Sequence, residues 1–121
     1  MRAVASILSI VIFLAFATSG AQKLIFTTMA SQSAEHLGFK KKPFQGVGLA
    51  EVAGALGVLV GLAAAHGSFL AWLNAAAAAG LTVTMVAAVS LHLRRGDGIK
   101  GAAPALSLGV LCLIELILRL A

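Results

Sequence analysis

The sequence predicts an all-α integral membrane protein, a four-helix bundle that forms a single transmembrane domain over residues 1–121. The chain is 60% hydrophobic and only 11% charged, and its mean hydropathy is +1.03. A soluble domain of this length cannot bury so much apolar surface, because small domains have a high surface-to-volume ratio. The apolar residues also form segments of membrane-spanning length separated by polar connections. We place the spans at about 3–26, 46–65, 69–92 and 104–120.

The distribution of charge argues against nucleic-acid binding, and the cysteine content argues against a thiol redox function. The net charge of +5 suggests a nucleic-acid partner, but the basic residues lie between apolar segments and form no continuous basic face. We therefore expect no nucleic-acid binding. Cys112 is the single cysteine, so no intrachain disulfide or CxxC redox pair can form. Because it lies in an apolar run, we interpret Cys112 as a small core residue.

The first span and the polar connection after it contain several start and stop signals. Span one, 3–26, has features of a signal peptide, but its apolar run is long for one, and we expect it to stay uncleaved. The connection 28–45 predicts a short helix that stops at Gly38. We interpret His36 as an exposed loop residue. Pro43, after three lysines, is interpreted as a break before span two.

The second span carries one carboxylate, Glu51, among small residues. A charge inside a membrane-length segment is costly and usually faces protein or water, so it marks a candidate functional site. Gly57 and Gly61 form a GxxxG pair, which lets another helix approach closely, either within the bundle or between protomers. The turn 65–68, which includes His66, is short enough to make spans two and three antiparallel neighbours.

Spans three and four each present a face suited to contact with protein. Pro104 opens span four in a first-turn position, where proline is tolerated. Glu115 and Arg119 are four residues apart, so we predict that they pair along the helix. Residues three and four apart share a helix face, and in span three this spacing predicts a stripe of Asn74, Ala78, Leu81, Met85, Ala88 and His92.

The distribution of basic residues predicts the orientation in the plasma (inner) membrane. Four spans put both termini on one side, with Arg2 and Arg119. The positive-inside rule places the opposite, more basic side in the cytoplasm and both termini outside. The basic side holds Lys23, Lys40, Lys41, Lys42, Arg94, Arg95 and Lys100.

Three spans deliver polar residues to this basic-loop end, namely Lys23, Glu51 and His92. Glu51 lies about 8 Å below the end of its span, roughly one and a half helical turns. In one interpretation, Lys23 neutralises Glu51, and His92 caps span three or reaches the headgroups. In the other, the three line a polar pocket at the mouth of an apolar cavity. There, as candidate catalytic residues, Glu51 is a general base or proton carrier and His92 its partner.

Metal and nucleotide sites are not predicted. Glu35 and His36 are the only nearby pair of metal-ligand types, and adjacent side chains do not face each other on a helix. Haem would need axial ligands at mid-membrane depth, where no histidine is expected. The common phosphate-binding, dinucleotide-binding and hydrolase motifs are absent.

Several pieces of the chain together carry a family resemblance. They are SGAQKL at 19–24, LGFKKKPFQGVGLAEVAGALGVLVGL at 37–62, MVAAVSLHLRRGD at 85–97, and Pro104 before the final apolar span. This pattern resembles the DoxX-like family of small four-span membrane proteins, over nearly the whole chain. The most specific piece is the glutamate that opens a glycine-rich second span. By position, Lys23, Glu51 and His92 match polar residues of the family pattern.

The resemblance implies a four-helix membrane bundle and a link to membrane redox chemistry. The name-giving DoxX proteins are associated with quinone-linked oxidation of sulfur compounds, and relatives are linked to membrane thiol-redox complexes. The resemblance therefore implies quinone as a candidate cofactor. A thiol relay is not expected here, because the chain has no cysteine pair.

Three functions are compatible with these observations. The leading hypothesis is an accessory subunit in the lipid bilayer that packs against a protein partner, a second copy of itself, or a lipid-soluble redox molecule such as quinone. The alternative is an enzyme that uses Glu51 for isomerisation, epoxide opening or cyclisation of a lipophilic small molecule. A proton-coupled carrier of small molecules would also use Glu51.

Overall fold

The computed structural model describes residues 2–62, 64–65 and 67–121, with the side chain of Arg2 excluded. Within this part every regular element is an α-helix. The helices are α1 (Arg2–Ile25), α2 (Thr28–Leu37), α3 (Lys41–Val60), α4 (Phe69–Arg94) and α5 (Gly98–Leu120). Among the described residues, α1, α3, α4 and α5 are each long and apolar enough to cross a membrane. The predicted all-α membrane fold is therefore confirmed.

The four long helices pack around one buried seam. Helix α1 packs along α3, α4 packs along α5, and α3 contacts α4. Many large aliphatic side chains instead face outward, as expected for a surface solvated by lipid rather than water. The prediction for Cys112 is confirmed, since its side chain is buried in this seam. The seam is formed by buried residues that include Ile12, Phe16, Ala55, Val58, Ala78, Leu81 and Cys112.

Glycines set how closely α1, α3 and α4 approach. Where α1 crosses α3, a Cβ added to Gly20 would lie 2.6 Å from the carbonyl oxygen of Gly48. On the other side of α3, a Cβ on Gly61 would lie 2.5 Å from the carbonyl oxygen of Leu70, and Gly57 also faces α4. The GxxxG pair therefore serves close packing within the bundle.

Helix α2 is the short helix predicted in the first polar connection. Thr27 caps its start, because the threonine side chain accepts a hydrogen bond from the backbone N–H of Ala30. Gly38 ends the helix with φ of 83°, a left-handed conformation that glycine adopts without steric cost. Ala30 and Ala34 pack against Phe44, which holds α2 against the first turns of α3.

The predicted break at Pro43 and the predicted first-turn position of Pro104 are both wrong, because both helices begin earlier than the predicted spans. Helix α3 begins at Lys41, so Pro43 lies within its first turn, where the missing N–H would have no helical partner anyway. Helix α5 begins at Gly98, so Pro104 lies inside the helix rather than in its first turn. The carbonyl of Lys100 loses one helical hydrogen bond to this proline. Lys100 is exposed, so solvent can satisfy its carbonyl.

The connection between α3 and α4 is longer than predicted. Helix α3 ends at Val60, so the connection covers 61–68. Ser68 ends it by capping α4, since its side chain accepts a hydrogen bond from the N–H of Ala71. The two helices are still neighbours, as expected. The expectations for His66 and for the side chain of Arg2 lie outside the described residues.

Candidate functional site

A cavity of about 370 Å³ lies at the basic-loop end of the bundle, with lining residues from all the helices described above. Its volume falls within the range of roughly 300–1,000 Å³ that is typical of small-molecule sites. Apolar side chains form most of the wall, including Phe39, Phe44, Val47, Met85 and Leu108. The polar side chains include Ser19, Lys23, His36, Glu51 and His92.

Lys23 and Glu51 form an ion pair in the wall of this cavity. The Nζ atom of Lys23 lies 2.6 Å from Oε1 of Glu51, while Lys23 donates a hydrogen bond to Oγ of Ser19 at 2.7 Å. Oε1 of Glu51 has no hydrogen-bond partner among the described residues, so its contact with Lys23 is an ion pair held by charge. Glu51 is only 1% exposed, and an unpaired carboxylate at that depth would be costly. The predicted neutralisation of Glu51 by Lys23 therefore matches the geometry.

The close crossing of α1 and α3 allows this ion pair to form. Gly48 lies one turn before Glu51 on α3, and a Cβ at Gly48 would lie 2.6 Å from Cβ of Lys23. The absence of that Cβ lets the stem of Lys23 lie directly on α3. The Nζ atom also lies 5.5 Å from the ring centroid of Phe44, within the range of a cation–π contact. The packing of the lysine stem on α3 and the cation–π contact with Phe44 both keep the ammonium group inside the cavity mouth.

His92 lines the same cavity, but its hydrogen-bond partner is Asp97 rather than Glu51. Its Nδ1 lies 2.6 Å from Oδ2 of Asp97. The other carboxylate oxygen, Oδ1, lies 2.6 Å from Nε2 of His36. One carboxylate thus joins a histidine of α2 to a histidine of α4. We call His36, Asp97 and His92 the His–Asp–His clasp.

The clasp perturbs the carboxyl group at its centre. The hydrogen bond from His92, followed by that from His36, holds the pKa of Asp97 below its ordinary value. Both bonds favour the ionised form of Asp97, because a carboxylate accepts hydrogen bonds better than a neutral acid. Asp97 is therefore ionised at neutral pH and acts only as an acceptor.

The clasp also fixes α2 over the cavity. Arg95 adds a second link between the α4–α5 connection and α2, since its Nη2 donates to the carbonyl oxygen of Leu37 at 3.2 Å. Ala30 and Ala34 of α2 also pack against Phe44. Ala30, Ser33 and His36 consequently form part of the cavity wall, although α2 is too short to span a membrane.

Sequence reasoning missed Asp97 and misjudged His36. His36 is about half exposed, as expected, but it lies on α2 and pairs with Asp97, so its interpretation as a loop residue is wrong. The two residues are 61 positions apart, and no local pattern links them. For the pairing of His92 with Asp97, a weak local signal existed. Asp97 lies between Gly96 and Gly98, both with positive φ, in a tight turn that returns the carboxylate toward the end of α4.

A separate polar network lies at the opposite end of the bundle. The predicted pair of Glu115 and Arg119 is confirmed, with Nε to Oε1 at 2.9 Å. Ser9 joins both, because its hydroxyl donates to Glu115 at 2.6 Å and accepts from Arg119 at 3.0 Å. Asn74 and Arg119 also donate to backbone carbonyl oxygens, those of Val58 and Leu62. This network ties α1, α4 and α5 to the end of α3 and lies outside the cavity.

The cavity has the chemistry of a site for an amphipathic ligand. Lys23 supplies a donor, Glu51 a carboxylate, and His92 an imidazole, while aromatic and aliphatic side chains cover the remaining wall. Among the described residues, no group of three or more histidine, cysteine, aspartate or glutamate side chains is arranged to hold a metal ion. In the clasp, both imidazoles point at oxygens of one carboxylate instead of at a common point.

Fold and cavity together define a small multi-pass membrane protein with a polar-ended cavity inside its helix bundle. The chain matches the DoxX-like family over residues 7–114, a region that contains both the ion pair and the clasp. It therefore belongs to the DoxX-like family, and the resemblance noted in the sequence is confirmed. No curated protein and no solved structure was found to match the chain.

Proposed function

We propose that the protein binds a lipid-soluble small molecule with a polar head, that quinone is the candidate ligand, and that the protein acts as an accessory membrane subunit. The observation that carries this proposal is the cavity, which combines an apolar wall with the ion pair of Lys23 and Glu51. An amphipathic ligand would place its head against these polar groups. Its apolar body would lie against side chains such as Met85 and Leu108.

The lining residues fit a quinone head. The ammonium group of Lys23 is a donor for a carbonyl oxygen. The rings of Phe39 and Phe44 have centroids 5.4 Å apart and are tilted by 50°, so they offer faces and edges to a planar ring. When bound, a quinone would supply reversible redox chemistry. The residues of this chain would bind its head, orient it and exclude water.

The cysteine content of the chain supports an accessory role. Cys112 is the only cysteine, and its side chain is fully buried at 0% exposure. The chain therefore offers no dithiol that could exchange electrons with a ligand. Electron transfer would need a partner that carries a redox group, such as another membrane protein. The outward aliphatic faces of the bundle are available for such a partner.

The proposal is tested by blocking the cavity with one added ring. Ala88 lines the cavity, and Ala88→Phe would occupy space that the ligand needs. Binding of a decyl-substituted benzoquinone to the purified protein should weaken at least about tenfold, the equivalent of about 1.4 kcal/mol. The matched control is Val83→Phe on the same helix, because Val83 is 69% exposed to the lipid side.

Mass spectrometry of lipids that copurify with the wild-type protein provides a second readout. We expect a lipophilic molecule at near-stoichiometric amounts, and less of it with Ala88→Phe. A wild-type protein that carries no such molecule and does not bind the quinone would contradict the proposal. Equal binding by Ala88→Phe and Val83→Phe would place the ligand elsewhere.

A second candidate function is acid–base catalysis on a lipophilic substrate. It is favoured by one observation, the burial of the Glu51 carboxylate at the wall of the cavity. Glu51→Gln keeps the size of the side chain and removes the base. For an enzyme, this variant should abolish turnover of a lipophilic epoxide or isoprenoid while it still binds the substrate. Unchanged turnover would exclude Glu51 as the base.

A further inference from the structure

The His–Asp–His clasp gives the cavity a feature that the proposed function does not use. Lys23 and Glu51 neutralise each other, and Ser19 already accepts a hydrogen bond from Lys23. His92 is different, since one of its ring nitrogens remains free to meet a ligand. Its side chain is 28% exposed, and within the described residues only Nδ1 has a hydrogen-bond partner.

The geometry of the clasp determines which nitrogen of His92 carries the proton. An ionised carboxylate can only accept hydrogen bonds. The 2.6 Å contact from Nδ1 to Oδ2 of Asp97 therefore requires a proton on Nδ1. In a neutral imidazole the other nitrogen, Nε2, is then an acceptor. His36 meets the same carboxylate through Nε2, so its tautomer is the opposite one.

We infer that Asp97 is a positioning residue that holds His92 in the Nδ1–H form, and that the cavity consequently selects ligands whose polar head carries a hydroxyl group. The hydroxyl donates to Nε2 of His92, and its oxygen can still accept from a donor such as Lys23. This inference rests on the proposed function, because it specifies the chemical class of ligand for the same cavity. Phenols, hydroquinones and lipophilic alcohols belong to this class. A quinone head has acceptors only, so the reduced form should bind more tightly than the oxidised form.

The tautomer of His92 can be measured without any ligand. Nitrogen-15 NMR of histidine-labelled protein distinguishes a ring protonated at Nδ1 from one protonated at Nε2. The spectrum should be recorded at about pH 8.5, about two units above the ordinary histidine pKa of about 6.5. We expect His92, assigned by comparison with His92→Phe, to be protonated at Nδ1. In Asp97→Ala it should shift toward Nε2 protonation.

Ligand selectivity is measured with two matched probes, 4-decylphenol and 4-decylanisole. They differ only in that the hydroxyl of the first is a methyl ether in the second. We expect wild-type protein to bind the phenol about tenfold more tightly, as for one hydrogen bond of about 1.4 kcal/mol. The preference should fall to within about twofold in His92→Phe and decrease in Asp97→Ala. Ser90→Ala is the control, because Ser90 is exposed on the same helix and bonds only within it.

The outcomes separate this inference from the proposed function. Wild-type protein that binds both probes equally, or His92 protonated at Nε2 in the wild type, would overturn the inference and leave the cavity as a ligand site. Wild-type protein that binds neither probe nor a quinone would overturn the proposed function, and the hydroxyl selectivity with it. The NMR measurement on wild-type protein does not depend on any ligand, and it uses His92→Phe only to assign the signal.

Discussion

At the scale of single residues, the ion pair in the cavity wall places a strong constraint on the sequence. Glu51 is buried, whereas Lys23 is about one-fifth exposed. Water can therefore partly solvate the ammonium group of Lys23, while the carboxylate of Glu51 depends on Lys23 to balance its charge. Removing one member of a buried pair is costly because it leaves an uncompensated charge. Removing both members is much less costly, since neither charge then has to be desolvated.

Lys23→Met is therefore expected to lower the free energy of unfolding by about 3 kcal/mol, at the low end of the range for breaking a buried pair. The double variant Lys23→Met/Glu51→Gln should recover most of this loss. Denaturation in mixed detergent micelles measures both. Lys42→Met, an exposed lysine at the start of α3, should change stability by less than about 0.5 kcal/mol. A double variant as unstable as the single one would show that the charge imbalance is not the cause.

The clasp predicts a pH dependence with a definite sign. The pKa of Asp97 is lower in the folded protein than its ordinary value, because His92 and His36 donate to its ionised form. Its contribution to stability is therefore fully present above the ordinary carboxyl pKa and is lost as the pH falls through the lower, folded value. The difference in melting temperature between wild type and Asp97→Asn should shrink on acidification below about pH 4. A difference that grows as the pH falls below about 4 would contradict this assignment.

At the scale of helices, the crossing of α1 and α3 brings Lys23 to Glu51. Gly20 and Gly48 lie backbone against backbone at this crossing, and a methyl group on either would approach the carbonyl oxygen of the other within 2.7 Å. Neither carbonyl can move independently of its helix. A side chain at this position must therefore push the helices apart and displace Lys23 as well.

Gly48→Ala should lower the free energy of unfolding by about 1–3 kcal/mol, the usual cost of overpacking, and should weaken ligand binding. Gly46→Ala is the matched control on the same helix, because no atom lies within 4 Å of its added Cβ. Alanine has the higher helix propensity, so this control should be neutral or more stable by up to about 1 kcal/mol. Thermal unfolding of both variants provides the comparison. Equal destabilisation would point to helix propensity or lipid contact instead of the crossing.

At the scale of the whole molecule, the two ends of the bundle differ in chemistry. One end carries the cavity, α2 and most of the basic residues, while the other carries the compact network of Ser9, Glu115 and Arg119. Lipid-facing aliphatic side chains cover the middle. This asymmetry favours one orientation in a membrane, and we propose that the cavity end faces the cytoplasm.

A reporter that is active only outside the cytoplasm should therefore be active when fused to the C-terminus. The same reporter fused after Arg95, in the α4–α5 connection, should be inactive. The physical reason is the retention of basic residues on the cytoplasmic side. The reverse pattern of activities would invert the proposed orientation, without altering the geometry of the cavity.

Helical periodicity, together with the position of each residue along its predicted span, predicted a large part of this structure. The stripe of span three is correct, since Asn74, Ala78, Leu81 and Met85 are buried. Helical spacing predicts such faces because each helix needs one side for its neighbours. Proline was the less reliable signal. Pro104 was expected to start a helix but lies inside α5, because a single lost hydrogen bond near an exposed helix start is tolerated.

The sequence alone was sufficient to predict the membrane fold and the end of the bundle at which Lys23, Glu51 and His92 lie. The reason is that hydrophobic segments of fixed length set the depth of every residue along a span. Which groups these side chains contact depends instead on the tertiary structure. Asp97 and His36 join His92 because α2 folds back over the cavity and a glycine turn redirects the chain after α4. Such pairings depend on the positions of separate helices in space, and these leave no periodic signal along the chain.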